Sequence, residues 1–203
     1  MRLLLPRTRL ERWVENFRAR HDGVLLSVED AALRGVAADG SSFVARLPFE
    51  VPYTGEPDAV GLASAVTAPA DWGVLLVRKG GFAVARLSGE QVVASKVGQR
   101  HVQGRTKAGG QSQQRFARRR DNQARQAYEA AAEHGVRLLG DLRGPVVTGG
   151  DRGAVEEVLA DPRLRGSQPV ARWLAVPDPR RAVLEAAIEE ALAVEIEVED
   201  TTR

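Results

Sequence analysis

The sequence predicts an α/β (α+β) fold, a mixed sheet with flanking helices that carries a small N-terminal α+β extension. Three observations support this. Residues 73–97 hold three strand-like apolar runs joined by tight Gly-bearing turns, the pattern of an antiparallel meander. Beyond residue 114, helical and strand periodicities alternate, as they do where helices cover a sheet. Between the meander and the N-terminus, Pro48, Pro52, Gly55 and Pro57 break regular structure and mark residues 50–66 as a linker or boundary.

In the extension, residues 1–66, residues 7–19 read as a short helix with Leu10, Trp13, Val14 and Phe17 on one face. Residues 24–28 and 42–47 read as short strands. The second domain, residues 67–203, opens with strands at 73–78, 80–87 and 91–97, which turn at Lys79-Gly80-Gly81 and Ser88-Gly89-Glu90. A long loop over 98–114 holds Gly109-Gly110-Gln111. A helix follows from about Arg115 to His134, stopped by Gly135. Residues 145–148 form a short buried strand, 151–160 a helix and 170–176 another strand. Residues 179–194 form an amphipathic helix through Leu184, Ile188 and Leu192. The acidic residues 195–200 read as a solvated tail or helix end.

Three antiparallel strands followed by helix, strand, helix, strand and helix resemble the connectivity of a ribonuclease H-like mixed sheet. Fold does not give function. Ribonuclease H depends on clustered carboxylates that hold metal ions, one of them on its first strand, whereas residues 73–78 contain no acid. A two-metal nuclease is therefore disfavoured.

Composition narrows the chemistry further. With no cysteine, the 203 residues offer no disulfide, thiol nucleophile or thiolate metal site. His21, His101 and His134 are far apart and lack metal-ligand spacing, so each is expected on the surface or in a loop, and neither metal nor other cofactor is expected. No run approaches the roughly 18 apolar residues of a membrane span, and the start lacks a signal-peptide core, so a cytoplasmic monomer without membrane contact is expected. Trp13, Trp72 and Trp173 suit core or boundary anchors better than base-stacking platforms.

The formal net charge of +2 conceals an asymmetry. Residues 100–125 carry eight Lys/Arg against Asp121 alone, while residues 185–200 carry seven acids and no base. Arginine outnumbers lysine 26 to 3, and its guanidinium can bind two phosphate oxygens at once. The cluster adjoins Gly109-Gly110-Gln111. Of the three glycine pairs, Gly80-Gly81 fits a hairpin turn and Gly149-Gly150 a strand-to-helix turn, which leaves Gly109-Gly110 without a structural assignment. Arg115, Arg118, Asn122 and Arg125 recur at helical spacing along one stripe, opposite Phe116, Ala117, Ala124, Ala127, Tyr128 and Ala131. Arg120 falls nearer the packed side.

Here the residues resemble the catalytic domain of class-1 release factors of eukaryotes and archaea, where a GGQ loop precedes a similar Ser-x-x-Arg-Phe-Ala-Arg stretch. The matching residues are Ser112 and Arg115-Phe116-Ala117-Arg118, and the run from Val146 to Asp151 is similar to the family's strand-turn-helix. Without a recognisable codon-reading domain, the chain looks like the Vms-like release factor family, whose actinobacterial branch rescues ribosomes. The resemblance implies a peptidyl-tRNA hydrolase with the large ribosomal subunit, peptidyl-tRNA and ribosomal RNA as partners. Gly109, Gly110 and Gln111 would be catalytic, and Arg105, Lys107, Arg115, Arg118, Arg119 and Arg125 would bind RNA. Eukaryotic Vms-like members place the glutamine after a Gly-Ser insertion. Here Gln111 follows Gly110 directly, and Gln113 and Gln114 keep a shifted assignment open. Two alternatives stand beside ester hydrolysis: cleavage of the tRNA CCA end, and non-catalytic ribosome or RNA binding.

Overall fold

The computed structural model describes residues 1–99 and 111–201, and for 111–124 the backbone alone. In chain order the elements are β1 (Arg2–Leu5), α1 (Arg7–Arg20), β2 (Leu25–Glu29), β3 (Ala32–Val36), β4 (Ser42–Arg46), α2 (Ala59–Ala65), β5 (Trp72–Arg78), β6 (Gly81–Ser88) and β7 (Gln91–Gln99). There follow α3 (Gln111–Leu139), β8 (Pro145–Gly150), α4 (Arg152–Leu159), β9 (Gln168–Leu174), α5 (Arg181–Ala191) and β10 (Val194–Glu199). They divide into two compact units, one of Met1–Ala68 with Glu189–Arg203, the other of Pro69–Ile188.

The first unit is an antiparallel sheet of order β1-β10-β4-β3-β2 with α1 and α2 packed together. Pro6 precedes α1, whose Leu10, Val14 and Phe17 are buried at helical spacing and join Leu33, Phe43, Val194 and Ile196 in the core. The Phe43 ring stands edge-on to Trp13 and to Phe17, with centroids 5.1 Å apart in both pairs, an arrangement worth about 0.5–1.5 kcal/mol per pair beyond burial.

Three expectations for this region are corrected. Residues 195–200 are not a tail: β10 lies between β1 and β4, with Val194, Ile196 and Val198 buried and Glu195 and Glu197 facing Arg2 (2.5 Å) and Arg46 (2.8 Å). Residues 50–66 are not a linker. The Tyr53 N–H donates to the Ala31 carbonyl (2.9 Å), its hydroxyl donates to the Glu56 carbonyl (2.6 Å), and Leu62 of α2 is fully buried. The glycines there serve close packing, since a Cβ at Gly55 or Gly61 would meet the Tyr53 side chain at 2.8 or 2.6 Å. Finally, His21 is buried beneath Phe17, with ring centroids 4.4 Å apart, and its Nδ1 lies 2.7 Å from Asp39 Oδ2.

The second unit is a mixed sheet of order β7-β6-β5-β8-β9. Strands β5, β6 and β7 form the antiparallel meander, and β8 and β9 run parallel to β5. This is the strand order and direction of a ribonuclease H-like sheet. Central strand β5 is buried on both faces through Val74, Leu75, Leu76 and Val77, as its unbroken apolar run requires. Helices α3 and α4 cover the face bearing Leu75 and Val77, where Ala131, Leu139, Ala154 and Val158 complete the core. Trp72 is fully buried, its indole N–H bound to the Gly89 carbonyl at 2.8 Å.

The long helix also differs from expectation, because α3 does not stop at Gly135. It runs on to Leu139, and Gly135 lies inside it where a Cβ would come within 3.3 Å of Leu164. Closeness to Leu164, not helix termination, accounts for that glycine. At Gly150 the backbone has φ +102°, an added Cβ would overlap the Val77 carbonyl oxygen, and the Asp151 N–H donates to that same oxygen at 2.8 Å. The second glycine of Gly149-Gly150 is thus fixed by the strand-to-helix turn.

Candidate functional site

In sequence, the segment that carries the Gly-Gly-Gln triplet lies between β7 and α3. On one side β7 pairs with β6 from Gln91 to Gln99; on the other, Gln111 is the first residue of α3. Arg105, Lys107, Gly109, Gly110 and His101 lie outside the described residues. Gln111, Arg115, Arg118 and Arg119 lie on the described backbone of α3, and Arg125 is exposed.

Helix α3 is fixed through its C-terminal half. Burial among the described side chains starts at Ala127 and recurs at Ala131, Gly135 and Leu139, a four-residue spacing that marks one face against the sheet. Leu139 occupies the space that a side chain at Gly73 would need. The His134 ring stacks on Phe82 with centroids 5.4 Å apart, and Glu133 pairs with Arg163 at 2.7 Å. Arg163 also holds Asp161, lowering that carboxyl to about 2. At a rise of about 1.5 Å per residue, Gln111 stands roughly 24 Å along the helix from Ala127.

Helical phase relates the arginine positions to this packed face. At about 100° per residue, positions 115, 118, 122 and 125 fall away from the stripe of 127, 131, 135 and 139, while position 120 falls within it. The first turn of α3 contains no acid. Its leading N–H groups have no intrahelical acceptor and concentrate positive potential at the helix start. A helix start of this kind suits an oxyanion or phosphate.

Two titratable groups of α3, His134 and Tyr128, are shifted in the direction that keeps them neutral. Burial lowers the His134 pKa, with Lys96 and Arg137 adding to the effect. Burial raises the Tyr128 phenol, reinforced by Asp151 and Glu157. Among the described residues, no three His, Cys, Asp or Glu side chains are grouped to hold a metal ion. No described helix is long and apolar enough to cross a membrane.

Sequence reasoning did not find the contact between Arg152 and Trp173, whose guanidinium lies 4.5 Å from the ring centroid. Arg152 belongs to α4 and Trp173 to β9, so their contact is set by the tertiary fold and not by local spacing. Trp173 is half-buried and packs on the core, as an anchor should. Among the described residues of the first unit, one surface recess of about 290 Å³ lies beside Trp13 and Phe17 and another beside Tyr53.

A family model described as actinobacteria/chloroflexi VLRF1 release factor matches residues 70–197, more than half of the chain. No curated protein matches the sequence. Among solved structures, Pelota from Archaeoglobus fulgidus aligns at 9% identity over 94% of this chain, with a TM-score of 0.26. The chain spans 63% of that protein.

Proposed function

The chain belongs to the actinobacteria/chloroflexi VLRF1 release factor family, and on that premise we propose that it is a ribosome-rescue peptidyl-tRNA hydrolase. It frees nascent peptide from peptidyl-tRNA on stalled large ribosomal subunits, acting as a monomer in the cytoplasm. The observation that carries this reading is Gly109-Gly110-Gln111 at the head of the 29-residue α3, directly before the arginine-rich turns.

The bond cut is the ester between the peptide and the terminal tRNA ribose. Water adds to the carbonyl carbon, negative charge develops on the carbonyl oxygen, and the ribose oxygen leaves with a proton. Gly109 and Gly110 give the tip access to backbone conformations closed to other residues and leave no side chain to obstruct a crowded site. The Gln111 N–H faces the oxyanion, with the positive end of α3 behind it. The Gln111 amide orients the water and excludes larger nucleophiles.

A neutral amide is a poor base, so the proton passes through the substrate's own 2'-hydroxyl or ribosomal groups. The isolated protein is therefore nearly inactive toward free ester. Arg105, Lys107, Arg115, Arg118, Arg119 and Arg125 hold phosphates of ribosomal RNA or the tRNA acceptor end, which sets the register of the tip.

The test uses large subunits carrying peptidyl-tRNA labelled on both peptide and tRNA. Release of peptide with full-length tRNA is expected. Release with tRNA shortened at its CCA end would move the cut to a phosphodiester, and binding without release would leave a non-catalytic RNA-binding factor.

A further inference from the structure

The first unit contains a groove for which the release chemistry has no use. Leu47, Val51, Tyr53, Val60 and Ala65 line it around a volume of about 680 Å³, within the size range of ligand sites, about 300–1,000 Å³. Val51 and Val60 are 43% and 56% exposed. Single exposed apolar residues are ordinary, but these two converge on one recess.

The groove's charge is as distinctive as its shape. Glu56 and Asp58 line it and none of its lining residues is Lys or Arg, in a chain with 29 such residues. Asp58 keeps its carboxylate at the groove while accepting the Gly61 N–H at 2.6 Å as the cap of α2. Arg7 of α1 approaches the far end of α2 and donates to the Val66 carbonyl at 3.3 Å. Two carboxylates beside an apolar recess repel phosphate and attract a cation.

The groove is also built in advance. Tyr53 is bonded at both its N–H and its hydroxyl, Gly55 and Gly61 abut its side chain, and Pro52 restricts the neighbouring backbone. Little ordering is needed before a guest enters.

We propose that this groove docks an extended segment of another protein that presents an apolar side chain beside a lysine or arginine. The apolar group packs on Val51 and Val60, and the cation faces Glu56 and Asp58. This assigns the first unit an interaction distinct from RNA binding and from peptide release.

The test uses the full chain and a fluorescein-labelled peptide, Gly-Arg-Leu-Arg-Leu-Arg-Gly, with one control in which Glu replaces Arg and another in which Ser replaces Leu. Anisotropy should show saturable binding of the first peptide alone, with amide resonance shifts at Tyr53 and Val60. Glu56→Lys and Val60→Ser, both at exposed positions, should each weaken binding about tenfold or more while leaving peptide release unchanged. Equal binding of the Ser control, or unchanged binding by both variants, would overturn the proposal. Self-association lost in these variants, without peptide binding, would instead assign the groove to a second copy of the chain.

Discussion

At the scale of single residues, groups whose hydrogen bonds or burial shift their titration set how stability depends on pH. Asp39 accepts from the His21 ring and from the Ser41 N–H, and these bonds, the first above all, hold its carboxyl below its ordinary 3.8. Stability from Asp39 is complete above that value and is lost as pH falls through the lower folded value. His134 acts in a different window. Its folded pKa lies below 6.5, so on acidification the unfolded chain takes up the proton first, and stability is complete above 6.5 and declines below it. Thermal melts from pH 8 to 5 should show wild type losing more stability below pH 6.5 than His134→Gln; parallel profiles would contradict this assignment. His21 shows why the sequence misled here. Its isolation from the other histidines suggests surface or loop, while its burial depends on packing against Phe17 at the end of α1 and on Asp39 arriving from another turn.

At the scale of elements, the meander was legible because each turn carries its own local signal. Gly89, at φ +57° with open space around it, is required only by backbone conformation, whereas Gly150 combines φ +102° with a close carbonyl. Gly89→Ala should cost about 1–2 kcal/mol and Gly150→Ala more, read as a larger fall in denaturation midpoint. Equal losses would count against this account. The helix after the triplet was legible from its periodicity, but the length of α3 was not, because a glycine reads as a stop unless the side chain opposite it is known. In β10 the alternation Val-Glu-Ile-Glu-Val-Glu was present in the sequence, and its acid content obscured the period of two that places every second residue inward. Charge reversal at both Arg115 and Arg118 should weaken binding to large subunits and reduce the slope of log affinity against log salt by about 1.5–2. An unchanged slope would remove both residues from the phosphate contacts.

At the scale of the whole molecule, the chain's last strand completes the unit that its first residues begin. The sequence placed a boundary near residue 66 and assigned everything after it to the second domain, because linear reading cannot show a strand returning to an earlier sheet. The compact units do divide near that boundary, at Ala68, and divide again at Ile188, after which the chain rejoins the first unit. Deleting residues 194–203 should therefore abolish the cooperative unfolding of the first unit, seen as loss of amide-exchange protection in β1 and β4. A solvated tail would be removable without that effect. The second unit, by contrast, has the strand order expected from connectivity alone, and its candidate chemistry rests on the triplet at the start of α3.

The most direct test of that chemistry is a single-turnover comparison of wild type and Gln111→Ala on large subunits carrying labelled peptidyl-tRNA, with affinity for the subunits measured in parallel. The variant should bind as tightly as wild type and release at least about 100-fold less peptide per unit time, the scale set by losing a positioned oxyanion or water contact. Release by the variant at the wild-type rate would contradict this role for Gln111.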